Sequence, residues 1–365
     1  MPGKLEGMGV YTLGMLRVLV QQHPHIEWHF LFDRPPVQEY KLGPNVYMHH
    51  VPPPARHPIL WYLWNRIGVP KVLRKIKPNL YWSPDGLTAN TKFPQWVTIH
   101  DLNFIHHPEW VPSSSARYYK KWVAKSAKEA SHVFTVSQYV KHDIIKTLGV
   151  EEENISVTYN APQVDMRPGP ETRENYFCFV GALTPRKNLR TLLLGFDQWK
   201  KNHPERADYV LKIAGEPHFN DPLFTQAFEG MTHKDQVQFL GRLSTEKLQE
   251  LYRKATALCM PSAHEGFGIP VVEAHMCNTP VIISNNTALP EVAAPCSLRV
   301  ETYDINGWAD ALERMAQDPS SYAKDCVDYA SRFTWMSSVN AFNEALRKIT
   351  STGPLSKVHG KKRKR

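Results

Sequence analysis

The chain has 365 residues, 42% of them hydrophobic and 22% charged, with a formal net charge of +9. That is a globular balance with room for two domains, and it argues against a disordered or fibrous chain. No apolar run approaches the roughly 20 residues of a membrane-spanning helix, and the polar start Met-Pro-Gly-Lys-Leu-Glu-Gly does not read as a signal peptide. Five widely spaced cysteines without a Cys-x-x-Cys fit reduced thiols and a cytoplasmic location. The positive excess suits anionic partners: nucleotide phosphates, acidic glycans or anionic lipid.

In chain order, Gly7-Met-Gly-Val-Tyr-Thr12 reads as a glycine turn leading into an amphipathic helix over 10–22, and 27–33 alternates like a strand. Pro52 to Pro58 is a loop. Residues 59–77 have a helical pattern, with Trp61, Tyr62 and Trp64 beside Arg66, Lys71, Arg74, Lys75 and Lys77. Two readings stay open there. Either the aromatic face packs inward and the basic face is solvated, or a basic amphipathic helix lies on an anionic membrane; Pro70 interrupts the pattern and counts against the second. Residues 79–83 and 96–100 read as parallel strands. Open α/β sheets bind ligands at the carboxyl ends of their strands, which puts Ser83-Pro-Asp85 and His100-Asp101-Leu-Asn103 at the ligand edge. A helix over 115–130, a strand over 132–136, a helix over 139–148 with Ser137 as N-cap, and a strand over 155–159 complete a first domain, 1–160. The proline- and charge-rich segment 161–175 reads as a linker.

The second domain, 176–333, opens with an apolar strand over 176–180 and the turn Gly181-Ala-Leu-Thr-Pro-Arg-Lys-Asn188, then a helix over 189–200. Arg186 and Lys187 stand at the start of that helix, where its dipole would prefer acids. Cations so placed point to an anion that neutralises them, a solvated basic turn being the alternative. Strands over 209–215 and 237–240, a helix over 244–255, and helices over 304–316, 320–332 and 334–349 follow. Residues 351–365 form a basic tail, read as solvated and disordered.

The most informative stretch runs from Pro261 to Ser284. Ala257 to Met260 reads as a buried strand, followed by a loop with Glu265, Gly266, Phe267 and Gly268. Pro270 then opens a helix to about Cys277, and 279–284 returns as a strand. Glycines let backbone N–H groups approach a ligand, and a helix N-terminus behind them favours a phosphate. Glu265 before the glycines and Glu273 in the first helical turn remain for hydroxyl groups, since a carboxylate accepts two hydrogen bonds from a vicinal diol.

Glu265 through Glu273 resembles the Glu-x7-Glu motif of the retaining glycosyltransferases of family 4. The likeness extends over nearly the whole chain. It implies a GT-B fold: two doubly wound, Rossmann-like α/β domains facing across a cleft, with the helix 334–350 packing back on the first. Two departures stand out. The family's sheet begins with a strand before the glycine turn, and the six residues ahead of Gly7 carry no strand pattern, so the first strand is expected to be missing. The family often has Arg directly after the glycine where this chain has Ala182. The resemblance implies a catalytic group of Glu265, His100, Lys187 and Arg186. For the donor it implies Gly9, Gly181, Gly266, Phe267, Gly268, Glu273 and the backbone amides near Thr287 and Ala288, with the base read by backbone near Gly241.

The activity so implied is transfer of a mannose- or glucose-type hexose from a nucleotide-diphosphate sugar, such as a GDP- or UDP-hexose, to a glycan or lipid-linked acceptor in polysaccharide biosynthesis. Configuration is retained by same-face attack. No Asp-x-Asp pair occurs, so neither metal nor cofactor is expected, and Arg186 and Lys187 take up the diphosphate charge. The expected location is cytoplasmic or peripheral at the inner membrane face, through contact with anionic lipid. No nucleic-acid partner is expected. A fold-retaining scaffold without catalysis, binding a glycan or protein, is the alternative.

Overall fold

The computed structural model describes residues 7–55, 57–162, 166–216 and 221–352. Its elements begin with α1 (Gly7–Gln22), β1 (Trp28–Phe32), β2 (Val46–His50), α2 (Pro58–Leu63), α3 (Val69–Ile76), β3 (Tyr81–Ser83), β4 (Gln95–Ile99), α4 (Asn103–His106), α5 (Ser113–Glu129), β5 (His132–Thr135), α6 (Gln138–Leu148) and β6 (Ile155–Val157). There follow β7 (Tyr176–Val180), α7 (Leu189–Asn202), β8 (Val210–Ala214), α8 (Pro222–Glu229), β9 (Val237–Gly241), α9 (Thr245–Lys254), β10 (Ala257–Met260), α10 (Ile269–Met276), β11 (Val281–Ser284), α11 (Leu289–Val292), β12 (Leu298–Val300), α12 (Ile305–Gln317), α13 (Cys326–Ala330) and α14 (Trp335–Thr352). The chain divides into two compact units, one built from the residues before Pro162 together with those after Phe333, the other spanning Pro162–Phe333.

In the first unit the described strands form two parallel sheets, β1-β2 and β3-β4-β5-β6. The expected missing first strand falls on residues 1–6, outside the described residues. The central strands β4 and β5 are buried along their whole length, polar Gln95, Thr98, His132 and Thr135 included. Ser137 caps α6 as expected, accepting from the N–H of Val140 at 3.1 Å. The region 59–77 departs from a plain helix. A π-helical turn over Trp64–Gly68 joins α2 to α3, so Pro70 falls in the first turn of α3, where its missing N–H costs little. Helix α14 packs on α1, with the Trp335 ring lying directly on Gly14.

In the second unit a six-stranded parallel sheet has the order β12-β11-β10-β7-β8-β9. Strand order reverses between β7 and β10, the position at which doubly wound sheets bind ligands. Helices α7 and α12 pack together against the sheet, burying Trp199, Phe196, Trp308 and Leu312 with Phe177, Leu211 and Ile213. Residues 166–175 do not hang free: Arg173 donates to the Ala255 and Asn278 carbonyls (3.0 and 2.6 Å), and Glu171 pairs with Arg253 at 3.2 Å. The single helix expected over 320–332 is instead a 3-10 turn, Pro319–Tyr322, followed by the short α13. Asp325 between them has φ of 58°, and a left-handed residue breaks an α-helix.

Candidate active site

Three chain crossovers converge where strand order reverses. Asn188, itself left-handed, donates from Nδ2 to the carbonyls of Pro261 (3.0 Å) and Thr302 (2.8 Å). The Ala263 N–H donates to the Arg186 carbonyl at 2.8 Å, and Asn286 Nδ2 donates to the Ala263 carbonyl at 2.9 Å. The turn after β7, the loop after β10 and the loop after β11 are thus tied into one surface. Beneath the first turn, Gly215 packs so closely that a Cβ there would stand 1.9 Å from the Gly181 carbonyl oxygen.

On this surface lies an ion triad. Glu265 is 5% exposed. It accepts from Lys187 Nζ at 2.5 Å on one oxygen and from Arg186 Nη1 at 2.8 Å on the other, and Arg186 also donates to the His264 carbonyl at 2.7 Å. Burial pushes the Glu265 carboxyl up, but the charges of Lys187 and Arg186 outweigh it and hold the pKa at about 2. Two cations on one carboxylate leave a charge of +1. Arg186 and Lys187 lie in a 3-10 turn, Pro185–Lys187, just ahead of α7 rather than on it.

Helix α10 begins at Ile269 with Pro270 in its first turn, and Gly268 before it has φ of 107°. A side chain at Gly268 would be strained and would meet Leu289 Cδ2 at 2.8 Å, so the helix starts without a capping side chain, as an anion-binding end requires. Gly266, Phe267 and Gly268 form the approach. The Phe267 ring is buried, edge-on to Phe333 with centroids 5.3 Å apart, so its contribution to a ligand is its backbone.

Two placements expected from sequence are corrected. Glu273 lies in the second turn of α10, not the first, because the helix begins at Ile269. It is buried and accepts from the Tyr252 hydroxyl of α9 at 3.0 Å, and burial raises its carboxyl to about 7. The Ala288 amide already donates to the Glu265 carbonyl at 3.4 Å. Thr287 supports the loop through its side chain: Oγ1 accepts from the Glu265 N–H at 3.1 Å while its backbone has φ of 50°, a costly conformation for a β-branched residue. Spacing in the sequence gave no sign of Tyr252 or of this role for Thr287.

In the first unit, the ring of His100 follows β4 and stands edge-on to Tyr11 at 5.0 Å. Its Nε2–H donates to the Pro84 carbonyl at 2.9 Å, and burial lowers its pKa, so the imidazole is neutral with Nδ1 as acceptor. Gly9 is not in a glycine loop. It lies within α1, which is described from Gly7 onward. Among the described residues, one group has metal-ligand spacing: His203, Glu205 and Glu313. It stands past the far end of α7, about 20 Å along that helix from the triad. Glu313 there is already bound by Arg206 at 2.9 Å and by the Trp199 N–H at 2.8 Å, a structural ion-pair network.

Fold and site define an α/β protein of the doubly wound, nucleotide-binding class. Residues 5–165 match the family described as Glycosyltransferase Family 4, and residues 163–333 match Glycosyl transferases group 1. The chain is 31% identical over 296 residues to the O-antigen chain mannosyltransferase RfbU of Salmonella typhimurium, covering 80% of each chain. It is 28% identical over 260 residues to O-antigen chain mannosyltransferase B of Escherichia coli, 68% of each. Sucrose-phosphate synthase from Thermosynechococcus elongatus superposes with a TM-score of 0.72 at 18% identity, over 95% of this chain and 94% of that one. Anabaena HepE in complex with UDP and glucose gives 0.71 at 18% identity, over 94% and 97%. The chain belongs to the family-4 glycosyltransferases, and it is a glycosyltransferase with the GT-B fold.

Proposed function

We propose that the protein transfers a mannose- or glucose-type hexose from a nucleotide-diphosphate sugar to a glycan or lipid-linked acceptor, with retention of configuration and without a metal ion. The observation that carries this reading is the Arg186–Lys187–Glu265 triad, with its charge of +1, at the tip of the strand-order reversal. A departing diphosphate needs preorganised positive charge, and these two cations with the α10 N-terminus supply it. Glu265 holds the cations in place and has further lone pairs for sugar hydroxyls. Glu273, in its ionised form, accepts from the ribose diol. The C1–phosphate bond breaks, the acceptor oxygen bonds C1 on the same face, and the acceptor proton passes to the leaving phosphate oxygen. The names of the relatives RfbU and mannosyltransferase B favour mannose as the sugar and a polysaccharide as the product.

The test is transfer from a panel of GDP- and UDP-sugars to a lipid-linked oligosaccharide acceptor, with the anomeric configuration of the product read by NMR. Lys187→Ala, Glu265→Ala and Glu273→Ala are each expected to lower the rate by about a hundredfold or more. Near-normal turnover in all three would overturn the assignment, and an inverted product would overturn the stereochemistry.

A further inference from the structure

Cys296 and Cys326 are 30 positions apart in the chain, and the fold brings their sulfurs to 3.6 Å. Cys296 stands in the loop between α11 and β12, and Cys326 is the first residue of α13. A thiol is a weak donor, and both of these point at one acceptor, the Tyr322 carbonyl, 3.4 Å from Cys296 Sγ and 3.5 Å from Cys326 Sγ. Cys296 Sγ also lies 3.1 Å from the Lys324 carbonyl. The two sulfurs are thus gathered by backbone oxygens and face each other.

The segments that carry them are held from both sides. The Ala294 N–H donates to His275 Nε2 at 3.1 Å and the Ser297 N–H to the Ala294 carbonyl at 2.9 Å, which ties the turn around Cys296 to α10. On the other side the Tyr322 hydroxyl accepts from Arg314 of α12 at 3.1 Å, and left-handed Asp325 turns the chain into α13. Of the five cysteines, four are buried and Cys296 is part-exposed. Burial, with the Cys296 sulfur alongside, raises the Cys326 thiol and outweighs the pull of the nearby Arg173 guanidinium. The two sulfurs therefore have unequal tasks. Cys296 can meet a reagent from solvent, and Cys326 stands behind it as a protonated thiol. Burial raises the thiols of Cys178, Cys259 and Cys277 as well, and it shields them.

We propose that Cys296 and Cys326 are a redox modification site, closed by a low-molecular-weight disulfide such as oxidised glutathione into an intrachain bridge that locks α13 in place. The Cys296 thiolate attacks one sulfur of the oxidant, forms a mixed disulfide and releases one glutathione thiolate, which takes up a proton. Cys326 then loses its proton, its sulfur attacks the Cys296 sulfur, and the second glutathione leaves and is protonated in turn. Two protein thiols are oxidised, and one oxidised glutathione is reduced to two thiols. The sulfurs must close from 3.6 Å to about 2 Å, a shift asked of a loop residue and of the first residue of a short helix. The bridge would enclose β12 and α12 and fasten α13, which packs on α10. It stands ahead of β12, at the end of the sheet opposite the strand ends that carry Arg186, Lys187 and Glu265, so its effect falls on the stability of the second unit.

The experiment equilibrates the full chain in glutathione buffers stepped from reducing to oxidising, quenches with acid, and maps the bridges by peptide mass spectrometry. A linked Cys296–Cys326 pair is expected, leaving three of the five cysteines free, with full reversal by dithiothreitol. In scanning calorimetry the oxidised chain should show the transition of the second unit raised by roughly 5–15 °C, as a bridge across a loop of this length implies. Cys326→Ala should stop at the first step and carry one glutathione on Cys296. Cys296→Ser, a conservative change at a part-exposed position, should keep every remaining thiol free and show no shift in melting with oxidant. Should the alanine variant fail to fold, the wild-type map and the serine variant decide alone. Five free thiols in the most oxidising buffer, glutathione that accumulates on wild-type Cys296 with Cys326 left free, a bridge to any other cysteine, or an oxidised chain that melts no higher than the reduced one, each overturns the proposal.

Discussion

Replacing Glu265 by Gln is expected to destabilise the second unit by about 3 kcal/mol at neutral pH. The carboxyl is held at about 2 against an ordinary value of 4.5. At 1.36 kcal/mol per pH unit, that difference is worth about 3 kcal/mol of folding free energy. Burial works in the opposite direction, so this is what Lys187 and Arg186 contribute after desolvation has been overcome. The size agrees with the 3–5 kcal/mol typical of removing one partner from a buried ion pair. Because the folded-state pKa is depressed, the stabilisation is fully present above about 4.5 and is lost as pH falls towards about 2. Scanning calorimetry of the full chain should show the transition of the second unit lowered by roughly 6–12 °C in the variant at pH 7.5. The gap should fall by about half by pH 3. A nucleoside diphosphate should raise the variant's transition more than the wild type's, since it restores negative charge beside two cations left without their carboxylate. A variant that melts with the wild type at pH 7.5, or a gap that widens on acidification, would refute the reasoning.

Glu273 should behave in the opposite sense. Its folded-state pKa is raised to about 7, so stability is greatest below about 4.5 and declines as pH rises through about 7. Glu273→Gln is therefore expected to melt higher than wild type at pH 8, by up to about 3 kcal/mol, and equally at pH 4, while losing donor affinity. Nucleoside-diphosphate affinity should rise between pH 6 and 8 in the wild type and stay flat in that variant, measured by titration calorimetry. Gly215→Ala should cost more than about 3 kcal/mol in denaturant unfolding, because its Cβ would stand 1.9 Å from the Gly181 carbonyl at a φ of 155°. Gly14→Ala, whose Cβ would stand 2.3 Å from the Trp335 ring, should cost about 1–3 kcal/mol and loosen α14, read by hydrogen exchange.

The second unit was legible because its strands are buried on both faces. Tyr176–Val180, Ala257–Met260 and Val281–Ser284 are unbroken apolar runs with turn residues at each end, and the glycine loop before Pro270 announces a helix start. The strands that escaped notice are short or half-exposed. Leu298–Val300 has three residues, and Val46–His50 turns tyrosine and histidines outward in a two-stranded sheet, so neither carries an apolar period. Helix boundaries set by a single residue's backbone were also hidden, as with left-handed Asp325 and the π-turn before Pro70. The chemistry of the site was legible by residue type and not by partner. Arg186, Lys187 and Glu265 each stood out, but nothing in a linear chain shows that cations 78 and 79 positions away meet one carboxylate. Nor does it show that Glu273 is partnered by Tyr252, 21 positions earlier.

The most direct measurement is titration calorimetry of GDP and UDP against the wild type and against Arg186→Ala with Lys187→Ala. Each cation removed should cost a charge-assisted contact of about 1.5–3 kcal/mol, so the double variant should bind at least about a hundredfold more weakly. Equal affinity in both proteins would contradict the claim that these two residues hold the donor's phosphates.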